Sequence, residues 1–313
     1  MMHVAQVRLG KSGLHVSRLA LGMMSFGDTS RRAWVLDEHA AEPLVRRAIE
    51  GGITFFDTAD MYAGGASEVV TGRLLRKLIP RDEAVIGTKV YYPTTEGPNG
   101  RGLSRKHVLA AIDASLTRLQ LDYVDLYQVH RFDNETSVEE TMEALHDVVK
   151  SGKARYIGAS TMATWQFMKM QHAARTPFVS MQNHYNLLQR ETERELIPLC
   201  LHAGIGVIPY SPLERGVLAR KNETPRTASD PQQQRRAEDD PVLARVDAIA
   251  DERGVPGAQI ALAWLLHKPG VTAPIVGASK LQHIEDALSA TELELSPDEL
   301  ARLEEPYVSR WPT

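Results

Sequence analysis

Residues 54–62 read Thr-Phe-Phe-Asp-Thr-Ala-Asp-Met-Tyr, a short apolar run that ends in a carboxylate. An amphipathic segment follows at 67–77, and a second apolar run follows at 84–90. A buried strand, a helix and another buried strand form the repeating unit of a parallel sheet. The stretch therefore predicts a strand–helix unit with polar side chains at the carboxyl end of its strand.

The same alternation extends over most of the chain. Eight strands are predicted, at 18–22, 54–58, 84–90, 123–130, 154–160, 178–183, 206–211 and 273–278. Helices are predicted at 41–50, 67–77, 104–119, 137–150, 164–174, 192–202, 241–267 with a break at Gly254, and 281–290. Eight such units favour the α/β class and a closed (β/α)8 TIM barrel over an open sheet.

Two further segments complete the predicted architecture. Alternating residues at 4–8 and 14–16, separated by a glycine-containing turn, predict an N-terminal β-hairpin. A C-terminal helical tail is expected after the last barrel unit. Because no glycine-rich linker divides the sequence, we expect residues 1–313 to form a single domain.

Composition excludes several classes of protein. The 313 residues carry a net charge of -4 and a pI near 6.3, so they offer no broad positive field for nucleic acid or a membrane surface. The lone Cys200 cannot form an internal disulfide. No run approaches the ~18 apolar residues of a membrane span, and residues 1–22 lack the pattern of a signal peptide. We expect a cytoplasmic monomer without a nucleic-acid or membrane partner.

Four polar residues fall at or just after three successive strand ends. They are Asp57, Tyr62, Lys89 and His130. Each has an ordinary structural explanation when taken alone, such as a cap, a packed ring or a satisfied core histidine. Lys89 is harder to explain in this way, because an ammonium group in an apolar strand needs a paired carboxylate or must lose its proton.

The four residues together predict proton transfer to a carbonyl oxygen. A free phenol has a pKa of about 10, and we expect the Lys89 cation to lower the pKa of Tyr62 towards neutrality. Asp57 would hold Lys89 charged and oriented, and His130 would hydrogen-bond the substrate oxygen.

The local sequences Phe-Phe-Asp-Thr-Ala-Asp-Met-Tyr, Gly-Thr-Lys-Val and Gln-Val-His-Arg resemble those of the aldo-keto reductases. The resemblance covers nearly the whole chain, and segments such as 152–160 and 181–186 look most like the bacterial aryl-alcohol dehydrogenase-like branch. It implies a (β/α)8 barrel, NADP(H) as cofactor and hydride transfer between the cofactor and small aldehydes, ketones or alcohols. It also implies the four roles given above, with Tyr62 as the acid.

The resemblance also implies a cofactor site. Ser160 and Gln182 match positions that bind the nicotinamide amide, Thr161 stands where Asn is common, and Tyr210 matches a ring that stacks on nicotinamide. A loop entering a helix N-terminus at 279–280 would hold the 2′-phosphate. The full set of predicted cofactor residues is Gly22, Met23, Ser160, Gln182, Tyr210, Ser211, Pro212, Leu213, Gly216, Leu218, Gly277, Ser279, Lys280, His283 and Asp286.

The substrate pocket is predicted from residues near the strand ends. These are Met24, Trp34, Tyr91, Tyr92, Arg131 and Phe132, with Trp311 on the tail as a further wall. An aromatic wall would favour aryl or bulky apolar aldehydes, and Arg131 could attract an anionic substituent. Two polar loops, at 91–102 and 220–240, follow strand ends and could close over a ligand.

Other mechanisms find less support in the sequence. The dinucleotide-binding Gly-x-Gly-x-x-Gly, the zinc-binding His-Glu-x-x-His and the nucleophile-elbow Gly-x-Ser-x-Gly are all absent, so we expect no metal. Two alternatives stay open. Lys89 could form a Schiff base in a lyase, or the chain could be a non-catalytic barrel that binds NADP(H) and regulates a partner.

Overall fold

The computed structural model describes residues 3–219 and 236–310. It begins with the predicted hairpin, in which β1 (Gln6–Arg8) pairs antiparallel with β2 (His15–Ser17). Eight parallel strands follow: β3 (Ala20–Gly22), β4 (Phe55–Asp57), β5 (Val85–Val90), β6 (Val124–Val129), β7 (Ala154–Ser160), β8 (Phe178–Gln182), β9 (Gly206–Val207) and β10 (Ile275–Gly277). Their order in the sheet is β10-β3-β4-β5-β6-β7-β8-β9.

The two edges of this sheet meet and close the barrel. Val207 of β9 forms a parallel bridge to Val271, and the amide of Ile275 donates to the carbonyl of Pro209 at 2.8 Å. β9 is shorter than the strand predicted at 206–211. Pro209 has no N–H to donate to a neighbouring strand, and the chain turns away at Ser211, where φ is 52°. The (β/α)8 barrel predicted from the sequence is therefore confirmed.

Helices follow the barrel strands and cover the outside of the sheet. They are α1 (Glu38–Glu50), α2 (Ala66–Leu78), α3 (Arg105–Leu119), α4 (Val138–Lys150), α5 (Thr164–Ala173), α6 (Leu196–Ala203), α7 (Asp240–Arg253), α8 (Gly257–His267), α9 (Leu281–Ala290) and α10 (Pro297–Glu304). The first begins three residues before its predicted start, because the Asp37 carboxylate accepts from the amide of Ala40 at 2.9 Å. The last is the predicted helical tail.

Alternate residues of each strand face different cores. Phe56 of β4, Ile86 of β5 and Tyr127 of β6 pack outward against the helices. Phe55 and Leu126 face the barrel interior, where they join the hairpin. This alternation follows from the two-residue period of a strand, and it sends Asp57 inward because it lies two residues after Phe55.

The hairpin closes the barrel at the amino-terminal ends of the strands. Leu9 and Val16 are fully buried in the cluster that contains Phe55. Its turn fits closely, since a Cβ on Gly10 would lie 2.3 Å from the carbonyl oxygen of Gly204. Gly10 also adopts a φ of 59°, which L side chains rarely adopt. The polar strand ends therefore lie at the opposite, open end.

Part of the predicted loop at 220–240 and the predicted wall residue Trp311 lie outside the described residues. Within 3–219 and 236–310, no helix is long and apolar enough to cross a membrane. The same residues contain no group of three or more His, Cys, Asp or Glu side chains that could hold a metal ion.

Candidate active site

The carboxyl ends of β4 and β5 place a carboxylate beside an ammonium group. The side chains of Asp57 and Lys89 are buried, with exposed fractions of 3% and 0%. Lys89 Nζ donates to Asp57 Oδ2 at 2.5 Å and to the backbone oxygen of Thr58 at 2.8 Å. Because a buried charge is tolerated only when it is paired and hydrogen-bonded, the two residues form one unit.

Two buried amides hold the second oxygen of this carboxylate. Gln128 Nε2 and Gln182 Nε2 donate to Asp57 Oδ1 at 2.9 and 3.0 Å, and Gln182 Nε2 also lies 3.1 Å from Gln128 Oε1. Glycines on both neighbouring strands leave room for Gln128: added Cβ atoms on Gly87 and Gly158 would lie 3.3 and 3.2 Å from its side chain. Three donors therefore fix Asp57 from two sides.

Tyr62 completes the cluster from the loop after β4. Its hydroxyl lies 3.2 Å from Lys89 Nζ, and the ammonium nitrogen is 4.8 Å from the centre of its ring. A tight turn at Tyr62–Gly65 holds this position, with Ala63 at φ 49° and Gly64 at φ 65°. The phenol is thus within hydrogen-bond reach of a charged lysine, as the sequence predicts.

His130 lies at the end of β6, beside the phenol. Its ring meets the Tyr62 ring edge to face, with centroids 5.8 Å apart, and meets the Tyr92 ring in the same way at 5.0 Å. The side chain is 8% exposed, and its Nδ1 has no hydrogen-bond partner in the described parts of the chain. All four predicted catalytic side chains are therefore together at the open end of the barrel.

Burial dominates the pKa of Tyr62. It raises the phenol pKa above its ordinary value, while the nearby Lys89 charge lowers it by a smaller amount and the Asp57 charge adds to the rise. The expectation of a lowered Tyr62 pKa is therefore wrong in its net direction. Lys89 acts in the predicted sense, but the loss of water around the phenolate outweighs its charge.

The other two titrating groups have opposite shifts. Burial disfavours the charged form of Lys89, but the Asp57 and Tyr62 contacts outweigh it and raise the pKa of the lysine. Lys89 is therefore protonated at neutral pH, which argues against its use as an amine nucleophile. Burial, with the Lys89 and Arg131 charges, holds the pKa of His130 well below its usual range. Its imidazole is neutral at pH 7.

The residues predicted to bind the nicotinamide amide lie on β7 and β8. Ser160 and Gln182 are paired in register, and the Ser160 hydroxyl is 3.1 Å from that of Thr161. The Gln182 nitrogen is already engaged by Asp57, which differs from its predicted role as a ligand contact. The next residue, Asn183, is buried, and neither atom of its amide has a partner within the described residues. Thr161 has φ 47°, a conformation in which Asn is far more frequent.

A stacked pair of rings marks the loop after β9. The Tyr210 and His184 rings are nearly parallel, with centroids 5.1 Å apart. His184 Nε2 lies 2.8 Å from Glu214 Oε2, and the same carboxylate oxygen accepts from Asn186 Nδ2 at 2.8 Å. Tyr210 is half-buried, whereas Glu214 is 1% exposed. The loop that follows contains the predicted contacts Ser211, Pro212, Leu213, Gly216 and Leu218.

Several predicted cofactor residues, including the predicted 2′-phosphate contacts, lie beside the first barrel strand. Gly22 of β3 and Gly277 of β10 are paired in register at the strand ends, and Met23 is buried directly after Gly22. Ser279 and Lys280 are exposed and lie immediately before α9. A helix N-terminus next to a lysine suits an anionic oxygen group, because the first backbone amides of a helix point away from it.

Two other predicted cofactor residues have protein partners. His283 Nδ1 accepts from the backbone amide of Ser279 at 3.3 Å. Asp286 is buried, and its Oδ1 accepts from Gln282 Nε2 at 2.9 Å and from Gln259 Nε2 at 3.2 Å. His283 therefore contacts the region just before α9, whereas Asp286 links α9 to α8.

Aromatic rings surround the open end near His130. The Tyr91 and Tyr92 rings meet edge to face at 5.3 Å, and Phe132 meets Trp165 at 5.8 Å. Trp165 is 61% exposed on the first turn of α5. Of the other predicted pocket residues, Met24 and Trp34 are half-buried in the loop after β3.

Sequence reasoning missed four residues of this region: Gln128, Asn183, Glu214 and Trp165. Gln128 carries a signal that could have been used, because it lies two residues before His130 and must share its strand face. Asn183 directly follows Gln182 at a strand end. Glu214 and Trp165 have no such local signal, since only the folded barrel brings the loop after β9 and the start of α5 to the site.

Comparisons with known proteins identify relatives along the full barrel. The model of the Aldo/keto reductase family matches residues 18–307. Versiconal hemiacetal acetate reductase of Aspergillus parasiticus is 44% identical, over 97% of both chains. A Schizosaccharomyces pombe protein whose name contains the words aryl-alcohol dehydrogenase is 43% identical, over 96% of this chain and 94% of its own.

A solved structure has the same architecture. The thermostable aldo-keto reductase Tm1743, in complex with the inhibitor epalrestat, is 31% identical and aligns with a TM-score of 0.80 over 96% of this chain and 99% of that chain. The named curated relatives are fungal, so the expectation of a bacterial branch is not borne out.

Proposed function

Because the chain belongs to the aldo/keto reductase family, we propose that it is an NADPH-dependent reductase of aldehydes or ketones in which Tyr62 donates the proton. The observation that supports this most directly is the buried chain from Asp57 through Lys89 to the Tyr62 hydroxyl, with contacts of 2.5 and 3.2 Å. Alcohol oxidation is the reverse of the same reaction.

Donors and acceptors at the strand ends, some of them without a partner in the described residues, fit a nicotinamide cofactor. Asn183 offers a buried amide without a partner in the described residues, and Ser160 lies on the adjacent strand. Tyr210 presents a ring, and Lys280 a cation at the start of α9. When bound, NADPH supplies the hydride. The proposed preference for NADPH over NADH rests on Ser279 and Lys280, which would bind the 2′-phosphate that NADH lacks.

The chain's own residues handle the proton and the developing charge. Neutral His130 has one N–H to donate to a carbonyl oxygen, which orients the substrate beside Tyr62. Tyr62 then gives its proton to that oxygen. The Lys89 cation stabilises the phenolate that remains, and Asp57 keeps Lys89 charged while Gln128 and Gln182 keep Asp57 in place.

Tyr62→Phe tests this assignment. We expect NADPH oxidation with an aromatic aldehyde to fall by about 10²- to 10⁴-fold, the usual contribution of a general acid, with little change in cofactor affinity measured by fluorescence. The matched control is Tyr123→Phe, because Tyr123 immediately precedes β6, at the other end of that strand from His130, and its ring contacts Arg81 and Arg155. Near-full turnover by Tyr62→Phe would defeat the assignment.

Two further outcomes address the alternatives. If the wild-type protein binds NADPH but no carbonyl compound oxidises it, the non-catalytic barrel is favoured. A borohydride-trapped adduct on Lys89 would favour the Schiff-base lyase. The single-domain organisation, the monomeric state and the cytoplasmic location stay predictions.

A further inference from the structure

Arg131 is a half-buried cation that has no carboxylate partner among the described residues. It directly follows His130 at the end of β6, and its Nε donates to the Tyr92 hydroxyl at 2.7 Å. Among residues 3–219 and 236–310 no ion pair to its guanidinium is found. Two other half-buried arginines do have carboxylate partners: Arg81 pairs with Asp125 at 2.8 Å and Arg118 with Glu68 at 2.6 Å.

This cation belongs to the mouth of the candidate active site. The Tyr92 hydroxyl accepts the hydrogen bond from Arg131, and the Tyr92 and His130 rings meet edge to face with centroids 5.0 Å apart. The Arg131 charge also contributes to the lowered pKa of His130. A positive charge with no carboxylate partner among the described residues is therefore held next to the group that would orient the carbonyl.

The available donors match an anionic oxygen group. The contact to Tyr92 uses Nε, which leaves the N–H groups of both terminal guanidinium nitrogens available, and Tyr92 keeps its own hydroxyl proton. A guanidinium recognises a carboxylate by parallel hydrogen bonds, which makes it selective as well as attractive. Half-burial strengthens such a contact relative to one made in bulk water.

We propose that Arg131, supported by Tyr92, binds a carboxylate on the substrate, so that the preferred substrates are carbonyl compounds with an acidic group away from the reacting carbon. The inference rests on the proposed reductase function and names its substrate class.

The test compares para-carboxybenzaldehyde with its uncharged methyl ester. The quantity measured is the acid-to-ester ratio of kcat/KM, in wild type and in Arg131→Gln at one pH. Dividing the two ratios cancels the intrinsic reactivity of each aldehyde and any general change in His130. Arg101→Gln is the matched control, because Arg101 lies on a neighbouring loop, is 61% exposed and has Glu135 at 3.8 Å.

We expect Arg131→Gln to lower the acid-to-ester ratio by about tenfold to a hundredfold, the range for a hydrogen bond to a charged group. Arg131→Lys should lower it less, Arg101→Gln should leave it unchanged, and added salt should lower it in wild type. A ratio that stays within about twofold in Arg131→Gln overturns the proposal. If that variant does not fold, an unchanged ratio in Tyr92→Phe together with no salt effect in wild type overturns it.

Failure of the two proposals can be separated. If wild type reduces neither aldehyde, the reductase function fails. Calorimetric binding of para-carboxybenzaldehyde with oxidised cofactor present then still reports on Arg131, and equal affinity of wild type and Arg131→Gln would refute the carboxylate site.

Discussion

Replacing Asp57 by Asn is expected to cost about 3 to 5 kcal/mol of unfolding free energy, the usual effect of removing one partner from a buried ion pair. Asp57 Oδ2 accepts from Lys89, while Oδ1 accepts from Gln128 and Gln182. An asparagine offers one oxygen and one NH2 group, so in either orientation an N–H would face another donor. The variant also leaves the Lys89 cation buried without a counter-charge.

A second aspartate–lysine pair of this protein provides a matched control. Lys153 Nζ lies 2.5 Å from Asp113 Oδ1, the same separation as in the buried pair, but these side chains are 36% and 57% exposed. Asp113→Asn should cost between 0 and about 1 kcal/mol. The two variants therefore differ mainly in burial.

Urea unfolding followed by circular dichroism measures both losses, provided that the slope against urea is unchanged. The deficit of Asp57→Asn should shrink as the pH rises from 7 towards 10. Without Asp57, burial lowers the pKa of folded Lys89, so the unfolded chain binds the extra proton and stability increases with pH. The double variant Asp57→Asn with Lys89→Met should recover most of the loss. A deficit no larger than that of Asp113→Asn, or one independent of pH, would refute this account.

Two other substitutions test the surroundings of the site. A Cβ on Gly158 would lie 2.3 Å from Ser180 Oγ and 3.2 Å from Gln128 Cγ. Gly158→Ala should therefore displace the Gln128 side chain and lower the free energy of unfolding by about 1 to 3 kcal/mol. It should also lower turnover, which steady-state kinetics would measure. Gly13→Ala, whose added atom meets its nearest neighbour at 3.7 Å, should change neither, and equal effects of the two would contradict the crowding argument. Asp60 is 1% exposed, and burial above all raises its pKa to about 8. Between about pH 4 and 8 the folded chain therefore keeps a proton that the unfolded chain loses. The free energy of unfolding should fall by about 1.4 kcal/mol per pH unit over that range. Asp60→Asn should remove this slope in melting experiments across that range, and an unchanged slope would assign it to another group.

The barrel and the four central residues could be predicted from the sequence because their signals are local. Asp57 and Lys89 interrupt apolar runs, and their positions together are explained by strand ends that meet at one edge of a parallel sheet. The period of two residues along a strand then sends both side chains inward. The hairpin was predictable for the same reason, since its turn glycines and alternating residues lie within a dozen positions.

The electrostatics of the site could not be predicted in the same way. The sign of the Tyr62 pKa shift depends on a competition between burial and the Lys89 charge, and no sequence pattern gives the amount of water that the fold removes. Gln182 has the predicted location at the end of β8, but its partner is Asp57, on a strand 125 residues earlier. Contacts of that range are set by the closure of the whole sheet.

The hairpin leaves this barrel closed at one end and open at the other. Leu9, Val16 and the turn at Gly10 seal the amino-terminal end of the barrel. In the described part of the chain, the rim formed by the carboxyl ends of the strands is therefore the side from which a ligand would enter. The hairpin that forms the closed end and the strand ends that form the rim lie in separate parts of the sequence. Substitutions within residues 6–17 should therefore change the stability of the barrel. Substitutions at the rim should instead change which ligands it binds.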